Sequence, residues 1–400
     1  MIVKADETRS PFFDPRGWMQ WPAHEDYSLQ FMRLLGAAQE GGSTVSECLL
    51  AASGIDPGCE ESWYRQWKKA GDINKARGDI ALARGFISTA VSNWLRAANY
   101  FRTAQAFMSA SDKRQTAALS QMLACSQLYL RHMTPTGEVV EIEWSDGRTL
   151  QGYFLPAPGR SARKAPVVMC IGAPDQYKEE HLHKMPRYAH ERGLSLLLVD
   201  LPGQGIRRPD DRVSGRYDIE TAVSTWLDYL AARSDVDTGK VAVFGDGLGA
   251  PIATRVAGFD DRFAAAVCDA GIWDLHERAF LTLQMPGGNA GENFAADIDQ
   301  LCRGSIARTV RCPILVALGE HDWLDAGHVT RCCEAFAARG QDIELKIFSA
   351  SETAASHAQL DNPTIGNEFI FDWIADRLGR KRAMAKPKAA PALQGLRRTG

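Results

Sequence analysis

Residues 245–249 read Gly-Asp-Gly-Leu-Gly and follow the apolar run Val241-Ala242-Val243-Phe244. That is the spelling of a strand turning sharply into a helix, G-x-S-x-G, with glycine where a serine would stand as nucleophile. Around such a turn the remaining partners, an acid and then a histidine, come later in the chain, each at the C-terminal end of a strand or just beyond it. Both have candidates. Pro313–Leu318 is an apolar strand followed directly by Gly319-Glu320-His321-Asp322, which makes Asp322 the candidate acid, ahead of Glu320 and Asp325. Ile343–Phe348 is the next strand, and His357 in the loop after it is the only histidine C-terminal to that point, hence the candidate base. An oxyanion would be held by the backbone N–H of Leu248 and by one from Ile171-Gly172-Ala173-Pro174-Asp175, where Ala173 is the donor because Pro174 has no N–H. Gly172 permits the tight turn that aims that donor.

The missing hydroxyl leaves three frames. With Gly247 at the apex no covalent intermediate forms. A water in the space vacated by a hydroxymethyl group then takes its place, activated by an Asp322–His357 dyad, a step typically worth ~10²–10⁴-fold. Sliding the frame by one makes the Asp246 carboxylate the nucleophile, but sets Phe244 and Leu248 where the turn demands small residues. The third frame is a catalytically inactive scaffold serving as a binding or regulatory protein. Asp200 opens the run Asp-Leu-Pro-Gly-Gln-Gly at a strand end and reads first as an acceptor for turn N–H groups, second as a pocket residue. Trp273 and Glu277, in the segment after strand 263–268, are further pocket candidates. His181 and His183 form a surface-like H-x-H pair, a weak metal signal. No metal, nucleotide or flavin signature appears, so no cofactor is expected; the glycines of 245–249 lack the G-x-G-x-x-G spacing.

These residues need a scaffold, and the periodicity supplies one. Val140, Ile142 and Trp144 alternate with acidic residues, Ser145-Asp146-Gly147 turns the chain, and Leu150, Gly152 and Phe154 continue, which predicts a hairpin. Apolar strands at 166–171, 194–199, 241–245, 263–268, 313–318 and 343–348 then alternate with helices that include 218–232, 249–257, 327–338 and 364–378. This rhythm predicts an α/β class, a mostly parallel sheet with helices on both faces. Residues 274–310 interrupt it and suggest a second piece of lid. The first 135 residues read as helical: Ser62 as a cap before Trp63 and Trp67, then Trp94, Ala98, Phe101, Ala104 and Met108 at helical spacing. The expected division is a helical cap at 1–135, a catalytic domain at 136–379 and a basic, disordered tail at 380–400.

The 400 residues carry 45% apolar and 24% charged side chains and a net charge of −3, a balance that gives no reason to expect nucleic acid or a membrane as partner. The nine cysteines form no CxxC pair and favour buried thiols over bridges. No apolar signal core opens the chain and no uncharged stretch approaches the ~18 residues of a membrane span, which makes the cytoplasm the expected location.

Several runs carry a resemblance: Ser62-Trp63-Tyr64-Arg65-Gln66-Trp67, Ala97-Ala98-Asn99-Tyr100-Phe101-Arg102, Gly172 through Lys178-Glu179-Glu180, Asp200-Leu201-Pro202-Gly203-Gln204-Gly205, and Ser356-His357-Ala358-Gln359. The chain resembles the α/β-hydrolase family of 2,6-dihydroxypseudooxynicotine hydrolase and the fungal pigment-polyketide hydrolases, and more distantly the fermentation–respiration switch protein. The resemblance implies an α/β-hydrolase fold under a helical cap. It also implies cleavage of a carbon–carbon bond beside a carbonyl, or of an ester, or a related lyase or cyclisation step, in a small aromatic or polyketide-like substrate. Asp322 and His357 would be acid and base, and a homodimer is implied for some members. It further implies a serine at the apex of the elbow, and there this chain departs.

Overall fold

A computed structural model describes residues 20–109, 111–159, 164–173, 176–205, 219–271 and 310–379. Five helices come first: α1 (Glu25–Ala37), α2 (Val45–Ala52), α3 (Glu60–Ala83), α4 (Ile87–Ala104) and α5 (Lys113–His132). Their apolar faces close around Trp21, Tyr27, Trp63, Trp67 and Tyr100 in one cluster and Trp94, Phe101 and Met122 in another. Trp63 and Trp67 do share a buried face, 5.6 Å apart and edge-on. Ser62 is not the cap, however. Helix α3 begins two residues earlier at Glu60, and the Ser62 hydroxyl instead donates to the carbonyls of Cys59 and Asp56. Glu60 and Glu61 place their charge on the first turn, where the helix dipole favours it.

The sheet follows. It comprises β1 (Glu138–Glu143), β2 (Thr149–Leu155), β3 (Ala165–Ile171), β4 (Ser195–Val199), β5 (Val236–Asp246), β6 (Phe263–Asp269), β7 (Ile314–Gly319) and β8 (Ile343–Phe348). Between them run α6 (Pro186–Glu191), α7 (Ile219–Ala232), α8 (Ala250–Phe259), α9 (Ala326–Ala337) and, last, α10 (Pro363–Arg377). The order across the sheet is β1-β2-β4-β3-β5-β6-β7-β8; the hairpin β1–β2 is antiparallel, β2 pairs antiparallel with β4, and everything from β4 to β8 is parallel.

The inner parallel strands read as unbroken apolar runs because both faces are covered, whereas Glu344 and Lys346 interrupt the edge strand β8. Val167, Met169 and Ile171 pack with α7, α8 and α9, while Val168 and Cys170 pack with α6 and α10. The second face also receives Leu95, Tyr129, Leu130 and Met133, which join the helical half to the sheet. Strand β5 starts at Val236 rather than Val241; the polar stretch Asp237-Thr238-Gly239-Lys240 masks its first half in the sequence. The expected lid segment 274–310, apart from its last residue Val310, and the tail 380–400 lie outside the described residues. No helix among the described residues is long and apolar enough to cross a membrane.

Candidate functional site

The site is built where β5 meets α8. Gly247 sits at φ +56°, and the chain turns there from strand to helix. A Cβ on Gly245 would fall 2.3 Å from the Gly249 carbonyl oxygen, and one on Gly249 would fall 2.3 Å from that of Ile171, so both flanking positions exclude any side chain. Gly247 differs. A Cβ placed there meets nothing closer than His357 Nε2, at 3.5 Å. The turn therefore keeps the direction and the room for a side chain aimed at the histidine.

His357 is held for that geometry from the other side. Its Nδ1 lies 3.0 and 3.1 Å from the two carboxylate oxygens of Asp322, whose side chain is fully buried. Asp322 also accepts the Leu324 N–H. The strand that delivers Asp322 and the loop that delivers His357 touch backbone to backbone: a Cβ on Gly319 would sit 2.2 Å from the Ala355 carbonyl oxygen, and His321 N–H donates to that oxygen. The loop is further fixed by the Asp361 carboxylate, which accepts the N–H groups of Ala355 and Ser356. Burial alone would push the His357 imidazole down, but Asp322, with Asp269 and Asp246 behind it, carries it above its ordinary value. The two weaker acid candidates have other work: Glu320 accepts the Ala350 N–H, and Asp325 caps α9.

Asp246 is at the strand end, one residue before the turn. Lys184 Nζ binds it at 2.7 Å, and His181 Nδ1 lies 3.8 Å from its other oxygen. Burial would raise its pKa, yet Lys184 and then His181 hold it below the carboxylate range. Beside it in register stands Asp269, the last residue of β6, buried and with Oδ1 unpartnered. Burial pushes the Asp269 carboxyl up to about 7, with Asp246 adding to the effect and Lys184 opposing it. Residues 270 and 271 follow with φ of +90° and +89°, a conformation that is strained for an alanine. Sequence reasoning missed Lys184 and Asp269, although Asp269 ends its strand just as Asp246 ends the one beside it. The pair His181 and His183 is not a surface motif, for His181 is 1% exposed. Among the described residues no His/Cys/Asp/Glu group is placed to hold a metal.

The loop after β3 is braced by side chains. Asp200 accepts both the backbone N–H and the Nζ of Lys178, at 2.9 and 2.7 Å, so its carboxylate secures two loops instead of facing a pocket. Gln204 donates to the Gly172 carbonyl, and Gly172 itself has no room for a Cβ between Gln176 and His181. The Ala173 N–H is not open: it donates to Gln176 Oε1 at 2.8 Å, and it becomes available to another acceptor only when that side chain turns away. Trp273 and Glu277 lie outside the described residues.

Comparison with known proteins agrees with this architecture. A family model described as esterase FrsA-like matches residues 57–286. The hydrolyase poxO of Penicillium oxalicum is 32% identical over 262 residues, covering 63% of this chain and 62% of poxO. The alpha/beta hydrolase xenA of Xenoacremonium sinensis is 31% identical over 296 residues, 70% of this chain and 69% of xenA. The 20-hydroxy-prefusarin hydrolase FUS2 of Gibberella moniliformis is 32% identical over 263 residues, 64% and 62% of the two chains. The match thus spans less than two thirds of poxO and of FUS2. Among solved structures, 2,6-dihydroxy-pseudo-oxynicotine hydrolase superposes with a TM-score of 0.69 over 86% of this chain and 96% of its own, at 20% identity, which is a likeness of fold.

Proposed function

Because this chain belongs to the FrsA-like esterase family of α/β-hydrolases, we propose that it is an enzyme that cleaves a small carbonyl-activated substrate by general-base catalysis through His357, with no covalent intermediate. The observation that carries this reading is the alignment at Gly247: the space a side chain would fill is bounded by His357 Nε2, and Nδ1 of the same ring is gripped by Asp322. A water in that space gives its proton to the neutral imidazole as its oxygen bonds to the substrate carbonyl carbon. Asp322 keeps the ring in the tautomer with the proton on Nδ1 and stabilises the imidazolium that forms. The oxyanion is met by the Leu248 N–H, and by the Ala173 N–H once Gln176 has turned away. As the intermediate collapses, the imidazolium returns the proton to the departing alkoxide or carbanion, so the ring ends neutral. Carbon leaving groups require stabilisation by a neighbouring carbonyl or aromatic ring. That requirement suits the aromatic or polyketide-like class suggested by the family resemblance.

The competing reading, a binding protein without turnover, draws on the capped Ala173 N–H. A panel of activated phenyl esters and 1,3-diketones, assayed with the wild type and with His357→Ala, tests both. Turnover that falls by ~10²–10⁴-fold in the variant is expected. Turnover that survives the substitution removes the dyad from the mechanism, and none from either protein favours the scaffold.

A further inference from the structure

A cleft of about 610 Å³, open mouth included, lies between α1, the segment after β3 and the start of α10. Its helical wall presents Arg33 and Arg102, and its opposite wall His181, His183, Lys184 and Asp246. Carboxylates also line it, but each has a cation of its own. Asp246 holds Lys184 at 2.7 Å, Glu180 lies 3.5 Å from Arg102, and Glu40 binds Arg187 at 3.1 Å. Arg33 has no such partner among the described residues.

The histidines are similarly unspent. Neither ring nitrogen of the buried His181, nor Nε2 of His183, meets a hydrogen-bond partner. A buried polar group without a partner is costly unless something enters to satisfy it. Burial, and then the nearby Arg102, His181 and Lys184, push the His183 imidazole down to about 3, which keeps it neutral in this space. One guanidinium and two neutral imidazoles, each able to offer an N–H, match the two oxygens and single charge of a carboxylate.

We propose that this cleft is a carboxylate-binding subsite that seats one monocarboxylate group between the Arg33 guanidinium and the imidazoles of His181 and His183. Gln176 also lines the cleft, and its Oε1 caps the Ala173 N–H. The occupant is therefore one side chain away from the oxyanion donor. In the catalytic reading above, on which this extension rests, the substrate is a keto acid or a half-ester whose far end carries the charge.

Binding can be tested without turnover. Acetate, hexanoate and benzoate are titrated against the wild type, Arg33→Gln and His357→Ala by thermal shift and calorimetry, with hexanamide and benzamide as neutral isosteres. At ten times its Kd a carboxylate is expected to raise Tm by about 2 °C in the wild type and in His357→Ala, and not in Arg33→Gln, with the amides inert in all three. Arg33 is only half-buried on α1, and the apo Tm of its variant reports whether the fold is kept. Failure of all three acids to bind the wild type, equal binding of the amides, or unchanged binding in Arg33→Gln overturns the proposal. Retention of binding in an inactive His357→Ala separates this site from the fate of the dyad.

Discussion

At the scale of single residues, Gly247 and His357 carry the argument. The meeting of Asp322 and His357 was legible in the sequence because chain order and strand ends bring those two positions together without any knowledge of contacts. The occupied Ala173 N–H was not legible, since it depends on where the Gln176 amide folds. Gly247→Ser is expected to introduce burst-phase hydrolysis of nitrophenyl esters, because its Cβ would point at His357 Nε2. The same change is expected to cost about 1–2 kcal/mol in denaturant unfolding, since φ +56° strains any L side chain. An intact variant without a burst would place the nucleophile position elsewhere. The imidazole makes a separate prediction. Its pKa is raised in the folded protein, so the ion pair with Asp322 stabilises below the ordinary value of about 6.5 and is lost as pH rises through the folded one. Base catalysis follows the opposite course, rising through that same folded pKa. Asp322→Asn leaves burial as the larger influence, and ¹⁵N titration of the ring should find its midpoint shifted downward.

The elements explain why these residues meet. The inner parallel strands were readable because apolar residues on both faces leave no polar interruption, the edge strand β8 because apolar and charged residues alternate along it, and the one strand with a polar start, β5, was placed too short. The burial of His181 was unreadable for the opposite reason. The turn that carries it packs against α4 and α5, which end well before it in the sequence, and local spacing carries no trace of that contact. Two adjacent strands ending in carboxylates, Asp246 and Asp269, concentrate negative charge that a single Lys184 balances. Asp269, raised to about 7 from an unfolded value near 3.9, is most favourable to folding while protonated; its contribution is lost as pH climbs between those values. Asp269→Asn should therefore gain Tm over the wild type on going from about pH 4 to about pH 8. A constant difference across that range would mean that Asp269 is ionised throughout.

For the molecule as a whole, the helical half is part of the sheet's own core. Leu130 of α5 is 1% exposed within the cluster that covers the α6–α10 face. Leu130→Ala should lower stability by about 2–5 kcal/mol and shift one cooperative denaturant transition. Two resolved transitions would show that the helices unfold on their own. The retained elbow has a practical corollary as well. Fluorophosphonates and sulfonyl fluorides find serine hydrolases by bonding to the hydroxyl at the apex of this turn, and at Gly247 there is no oxygen to capture. Surveys of hydrolases by covalent labelling would pass over this protein at that position. On the catalytic reading proposed above, its inhibitors would have to be sought among reversible carbonyl mimics that need no bond to the apex of the turn.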